Sequence, residues 1–89
     1  MRDRYLEVTF RKGKVLAAYL YLPRPAGARS VRTVTAGSGI LIDFGPDDAV
    51  IGIEITSPSA ITLDAINAVL LQLGQPQVSA AEIAPLRAA

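Results

Sequence analysis

From Tyr5 to Phe10 the chain alternates, with Leu6, Val8 and Phe10 on one side and Tyr5, Glu7 and Thr9 on the other, the period of a strand half-buried in a sheet. Arg11-Lys12-Gly13-Lys14 supplies the glycine and polar residues of a hairpin turn, and Val15 to Leu22 returns as a second strand. Pairing Phe10 with Val15 gathers Leu6, Val8, Phe10, Val15, Ala17, Tyr19 and Tyr21 on one face, the expected core. The opposite face of the second strand, Leu16, Ala18, Leu20 and Leu22, is also apolar, which a strand wet on one side does not show. Something is expected to cover it.

Pro23-Arg24-Pro25-Ala26-Gly27 reads as a loop, because proline removes a ladder donor and glycine has no side chain to pack. Ser30 to Thr35 is the expected third strand, broken by Ala36-Gly37-Ser38-Gly39. Ile40 to Phe44 and Ala49 to Thr56 are the fourth and fifth, joined by Gly45-Pro46-Asp47-Asp48. Pairing Ile51, Ile53 and Ile55 with Ile40, Ile42 and Phe44 leaves Leu41, Asp43, Gly52 and Glu54 on the other face. Ile61, Leu63, Ile66, Val69, Leu70 and Leu73 then recur at helical spacing, with Thr62 or Ser59 as cap and Gly74 as stop. The pattern predicts an α+β fold: a mainly antiparallel five-stranded sheet, two hairpins plus a middle strand, with one C-terminal amphipathic helix on the isoleucine face. Residues 1–75 form the expected single domain. Residues 76–89 form a tail in which Ser79-Ala80-Ala81-Glu82 has capping-box form and Pro85 limits the helix to a short turn.

The run Gly39-Ile40-Leu41-Ile42-Asp43-Phe44, a turn, then Val50-Ile51-Gly52-Ile53-Glu54-Ile55 resembles the YuzE-like small bacterial family, also called domain of unknown function 2283. In that family a tyrosine-bearing hairpin precedes an aliphatic strand ending in aspartate, then a Gly-Ile-Glu-Ile strand and the start of a helix. Tyr19, Tyr21, Asp43, Gly52 and Glu54 stand for those elements, and the resemblance spans residues 5 to 60. The hairpin here is basic rather than acidic and the helical end is longer. The resemblance supports the fold and implies no activity.

Composition narrows the chemistry. The chain of 89 residues holds neither histidine nor cysteine, which removes the commonest general base near neutral pH, the usual triads, thiolate nucleophiles, disulfides and nearly all zinc chemistry. The first residues read as neither leader nor membrane anchor, and the longest apolar run, Val15 to Leu22, is far short of a span, so a cytoplasmic protein with no membrane partner is expected. Net charge is +1 but divides unevenly: residues 1–36 carry eight basic side chains against Asp3 and Glu7, and residues 37–89 carry Arg87 against six acids. Such a dipole marks either a nucleic-acid surface on the basic half or two halves that attract each other, within the fold or between subunits.

Few constellations rise above the ordinary. Asp43 and Glu54 form a candidate polar pair on one face, for acid/base work or for a hard cation, but lack a third ligand; exposed strand carboxylates are more commonly solvated. Asp47 and Asp48 read as turn formers. Gly37-Ser38-Gly39 lacks the lysine and following helix of a phosphate loop. Tyr19 and Tyr21 beside a basic hairpin suggest an RNA-stacking platform, against the plainer reading of core tyrosines with hydroxyls at the edge. The feature with most weight is the apolar face Leu16, Ala18, Leu20 and Leu22, expected as a homodimer interface unless Val78, Ile83 and Leu86 of the tail fold back over it. The expected role is a small non-enzymatic self-association or protein-interaction module, with no cofactor and no metal. Nucleic-acid binding through the basic half comes next, and a metal-assisted enzyme using Asp43 and Glu54 last.

Overall fold

A computed structural model of the chain describes residues 4–23, 27–37 and 39–87. The centre of the proline loop, Ser38, Arg2 of the basic half and the last two residues of the tail lie outside the described residues. The elements are β1 (Tyr5–Arg11), β2 (Lys14–Tyr21), β3 (Arg32–Thr35), β4 (Ile40–Phe44), β5 (Val50–Ile55) and α1 (Leu63–Gln72), with 3₁₀ turns at Pro46–Asp48 and Ala84–Arg87. The five strands form one antiparallel sheet in the order β1-β2-β5-β4-β3, so the third strand of the sequence is an outer edge and the fifth returns to the middle.

Local chemistry accounts for the punctuation. Lys12 and Gly13 both take positive φ, 53° and 78°, the pair of values a two-residue hairpin with the strands' own twist requires. Thr62 caps α1, its Oγ1 accepting from Ala65 N at 3.1 Å. Gly74 at φ 70° closes the helix, with Gly74 N donating to Leu71 O and Gln75 N to Leu70 O, the double bond pattern of a glycine C-cap.

The isoleucine face is as the alternation predicts over Ile40, Ile42, Ile53 and Ile55, but a bulge between Asp43 and Phe44 pairs Phe44 with Val50 rather than with Ile51. Ile40, Ile42, Ile53 and Ile55 are buried in one cluster with Ile66, Val69 and Leu70 of the helix. The hairpin departs from expectation. Phe10 does pair with Val15, but the next residue inward, Thr9, pairs with Ala17, which makes Leu16 an extra residue in the ladder. A one-residue bulge changes which side chains share a face. Leu6 and Val8 therefore lie with Leu20 and Ala18 rather than with the tyrosines.

This overturns the exposed apolar patch. Ala18, Leu20 and Leu22 are buried in the same core, Leu22 completely, and of the four candidate interface residues Leu16 alone is exposed. The cover is the C-terminal segment. Val78, Ile83 and Leu86 are each at least 95 % buried in the same cluster, so residues past Pro76 complete the core rather than trail from it. One helix of ten residues is about 15 Å long and cannot roof five strands, and the segment after it does the rest. Ser79 and Glu82 make the reciprocal capping bonds, Glu82 N to Ser79 Oγ at 3.2 Å and Ser79 N to Glu82 Oε1 at 3.0 Å. No helix among the described residues is long and apolar enough to cross a membrane.

Candidate functional site

With one face roofed, the other face of the sheet is open, and the register arranges it in two rows across all five strands. Tyr5, Tyr21, Gly52, Asp43 and Thr33 form the first row, and Glu7, Tyr19, Glu54, Leu41 and Thr35 the second. The tyrosines expected in the core are here instead. Tyr5 stacks on Tyr21 with ring centroids 4.4 Å apart and planes 13° from parallel, and Tyr19 tilts against Tyr21 at 4.6 Å and 52°. Three rings on two neighbouring strands thus make a continuous plate, with Tyr5 42 % exposed at its edge.

Gly52 makes room for that plate. Its neighbour across the pair is Tyr21, and a Cβ at position 52 would overlap the ring and hydroxyl of Tyr19. Tyr19 lies across the bare backbone and donates its hydroxyl to Asp43 Oδ2 at 2.6 Å on the strand beyond. Thr33 on β3 donates to the other oxygen, Asp43 Oδ1, also at 2.6 Å. A line of polar contacts therefore crosses β2, β5, β4 and β3. Tyr21 donates to Glu7 Oε1 at 3.3 Å on the edge strand.

The two sequence-nominated acids share this face and differ in state. Asp43 accepts two short hydrogen bonds, one at each oxygen, and serves as a tie for the sheet. Glu54, on the middle strand between Tyr19 and Leu41, is half-buried, and its carboxylate has no hydrogen bond or ion pair among the described residues. Their positions are diagonal rather than opposite, about 7–8 Å apart at the backbone. Among the described residues no group of three or more acids is placed to hold a metal ion. A cleft of about 380 Å³ lies elsewhere, between the β3–β4 turn and α1, lined by residues such as Ala36, Ile40, Thr62, Ala65 and Val69 with no ionisable side chain. Gly37 and Gly39 flank the turn there, and Ala36 N donates to Ile40 O, so the glycine pair closes a hairpin.

The basic side chains are distributed between two uses. Arg4 donates to Pro76 O, Gln77 O and the Glu82 carboxylate, and Arg32 pairs with Asp48 at 3.1 Å and lies 4.2 Å above the Phe44 ring. Both ion pairs join the basic half of the sequence to the acidic half. Glu82 is held below the ordinary 4.5 of a glutamate, chiefly by the Ser79 backbone N–H and then by Arg4. Arg11, Lys12 and Lys14 stay on the exposed β1–β2 turn without a partner among the described residues. Sequence reasoning missed Asn67, whose amide Nδ2 donates to Val78 O at 3.0 Å and whose Oδ1 accepts from Val78 N at 2.7 Å. An asparagine on the polar side of a helix announces nothing in sequence.

Residues 17–58 match the model of the family described as protein of unknown function (DUF2283), the segment from the tyrosine strand through the Gly-Ile-Glu-Ile strand to the helix approach. No curated protein and no solved structure matches the chain.

Proposed function

We propose that this chain is a small protein-interaction module whose binding surface is the open tyrosine face of the sheet and whose partner presents cationic side chains. Glu54 carries the reading: a half-buried carboxylate with no counter-charge among the described residues, at the centre of the sheet and beside an aromatic plate. A guanidinium or ammonium group supplies the missing charge and also favours the face of a tyrosine ring. Glu7, Asp43 and Glu54 give the tyrosine end of this surface a negative sign, which disfavours a phosphate backbone across the aromatic plate. The finer resemblance to the YuzE-like family and a cytoplasmic setting are consistent with such a role.

The test is amide chemical-shift mapping with an arginine-rich peptide, its glutamate counterpart and a single-stranded RNA oligonucleotide. The arginine peptide is expected to move Tyr5, Tyr19, Tyr21 and Glu54, and the glutamate peptide to leave them still. Equal response to both peptides, or none, overturns the reading. RNA binding centred on Lys12 and Lys14 would replace it with the nucleic-acid alternative.

A further inference from the structure

We infer that the cationic partner is a second copy of this chain, stacked face to face and antiparallel, so that Arg11 and Lys14 of each copy meet Glu7 and Glu54 of the other. The inference rests on the binding face proposed above and names its occupant.

The two-strand end of that face has a graded pattern. Alternation along β1 puts Tyr5, Glu7, Thr9 and Arg11 on one side, and the register continues them to Tyr21, Tyr19, Ala17 and Lys14 on β2. Along the strands the surface therefore runs from Tyr5 and Tyr21, to the row in which Glu7 and Glu54 flank Tyr19, to the small pair Thr9 and Ala17, to the basic pair Arg11 and Lys14. Glu7 and Arg11 are separated by about 14 Å at about 3.4 Å per residue, with the small row midway. A two-fold axis lying between two such sheets, across the strands and over Thr9 and Ala17, reverses strand direction and keeps lateral position. It sets Arg11 over the partner's Glu7 and Lys14 over the partner's Tyr19, one strand spacing of about 4.8 Å from Glu54 and within the reach of a lysine side chain, twice by symmetry, and it places small side chains where the sheets approach most closely. An axis along the strands instead sets acid on acid and base on base. The charge pattern thus selects the antiparallel arrangement.

Each group involved is available. Arg11, Lys14 and Glu54 have no partner among the described residues, and Glu7 accepts only a 3.3 Å bond from Tyr21. The position above Glu54 is incomplete in one copy and is filled by a side chain of the other.

Sedimentation equilibrium of the full chain, at low and high salt, tests the association, and a charge swap tests its geometry. The wild type is expected to dimerise, with a dissociation constant that rises about tenfold or more at high salt. The variants R11E/K14E and E7K/E54K, checked for folding by circular dichroism, are each expected to be monomeric, and their equimolar mixture to form a heterodimer. A wild type monomeric at every concentration overturns this inference. A dimer indifferent to both variants does so too, by assigning another surface. If the wild type stays monomeric while an arginine peptide still moves Glu54, the binding face stands and the occupant is a different protein. If neither associates, both readings fall.

Discussion

Gly52 shows how one residue sets the character of a whole face. Its backbone is an ordinary extended strand, so it is needed for room, to let Tyr19 cross to Asp43. Gly52→Ala is expected to push the Tyr19 ring aside and to cost about 1–2 kcal/mol of stability, most of it through the lost hydrogen bond and disturbed ring packing. Tyr19→Phe, which keeps the ring, should cost about 1 kcal/mol. Urea unfolding of both single variants and the double variant checks the mechanism: the double should cost less than the sum, whereas simple additivity would mean that the glycine acts independently of the ring.

Among the elements, the last dozen described residues matter most. They are short of regular structure, yet Val78, Ile83 and Leu86 are buried, and the segment is tied to α1 by the two bonds of Asn67 and to the edge of the sheet by Arg4. Asn67→Ala leaves the N–H and C=O of Val78 without these partners at a buried residue, and should destabilise the chain by about 2 kcal/mol. Hydrogen exchange is the informative measurement. Protection should fall first at Val78 and around Ile83, and then at Leu20 and Leu22 as their cover loosens; a uniform loss across the sheet would show that the segment has no separate opening. Capping-box spacing made the local turn at Ser79 to Glu82 legible in the sequence. Its docking site was not, since an asparagine side chain reaching a backbone eleven residues on follows no periodic rule.

At the scale of the molecule, the charge dipole of the sequence is partly resolved inside the fold. Arg4 with Glu82 and Arg32 with Asp48 join the two halves, while Arg11, Lys12, Lys14 and Glu54 have no ion-pair partner among the described residues. The internal tie to Glu82 sets a response to acid. Because its folded carboxyl is held below 4.5, its contribution is fully present above that pH and is lost as pH falls through the lowered value. Docking of the C-terminal segment is therefore expected to weaken below about pH 4.5, with proteolysis near Ile83 rising first; Glu82→Gln should already be more susceptible at neutral pH and change less on acidification. Equal acid sensitivity in the two chains would show that other carboxylates control the opening.

The elements, the isoleucine face, the helix with its caps and the placement of Asp43 and Glu54 on one face were all legible in the residues, because period, turn chemistry and capping are local. The hairpin faces were not. Phe10 opposite Val15 was read correctly, yet the extra residue Leu16 changes the phase of everything beyond it, and alternating Val15 to Leu22 contains no mark of where a bulge falls. That displacement moved Tyr19 and Tyr21 from the expected core to the open face, and Ala18, Leu20 and Leu22 from an expected interface to the interior. Tertiary structure decided it through area: the apolar face with a roof available, α1 and the segment after it, is the one that turns inward. The aromatic face, with carboxylates that need water or a counter-charge, was left outside.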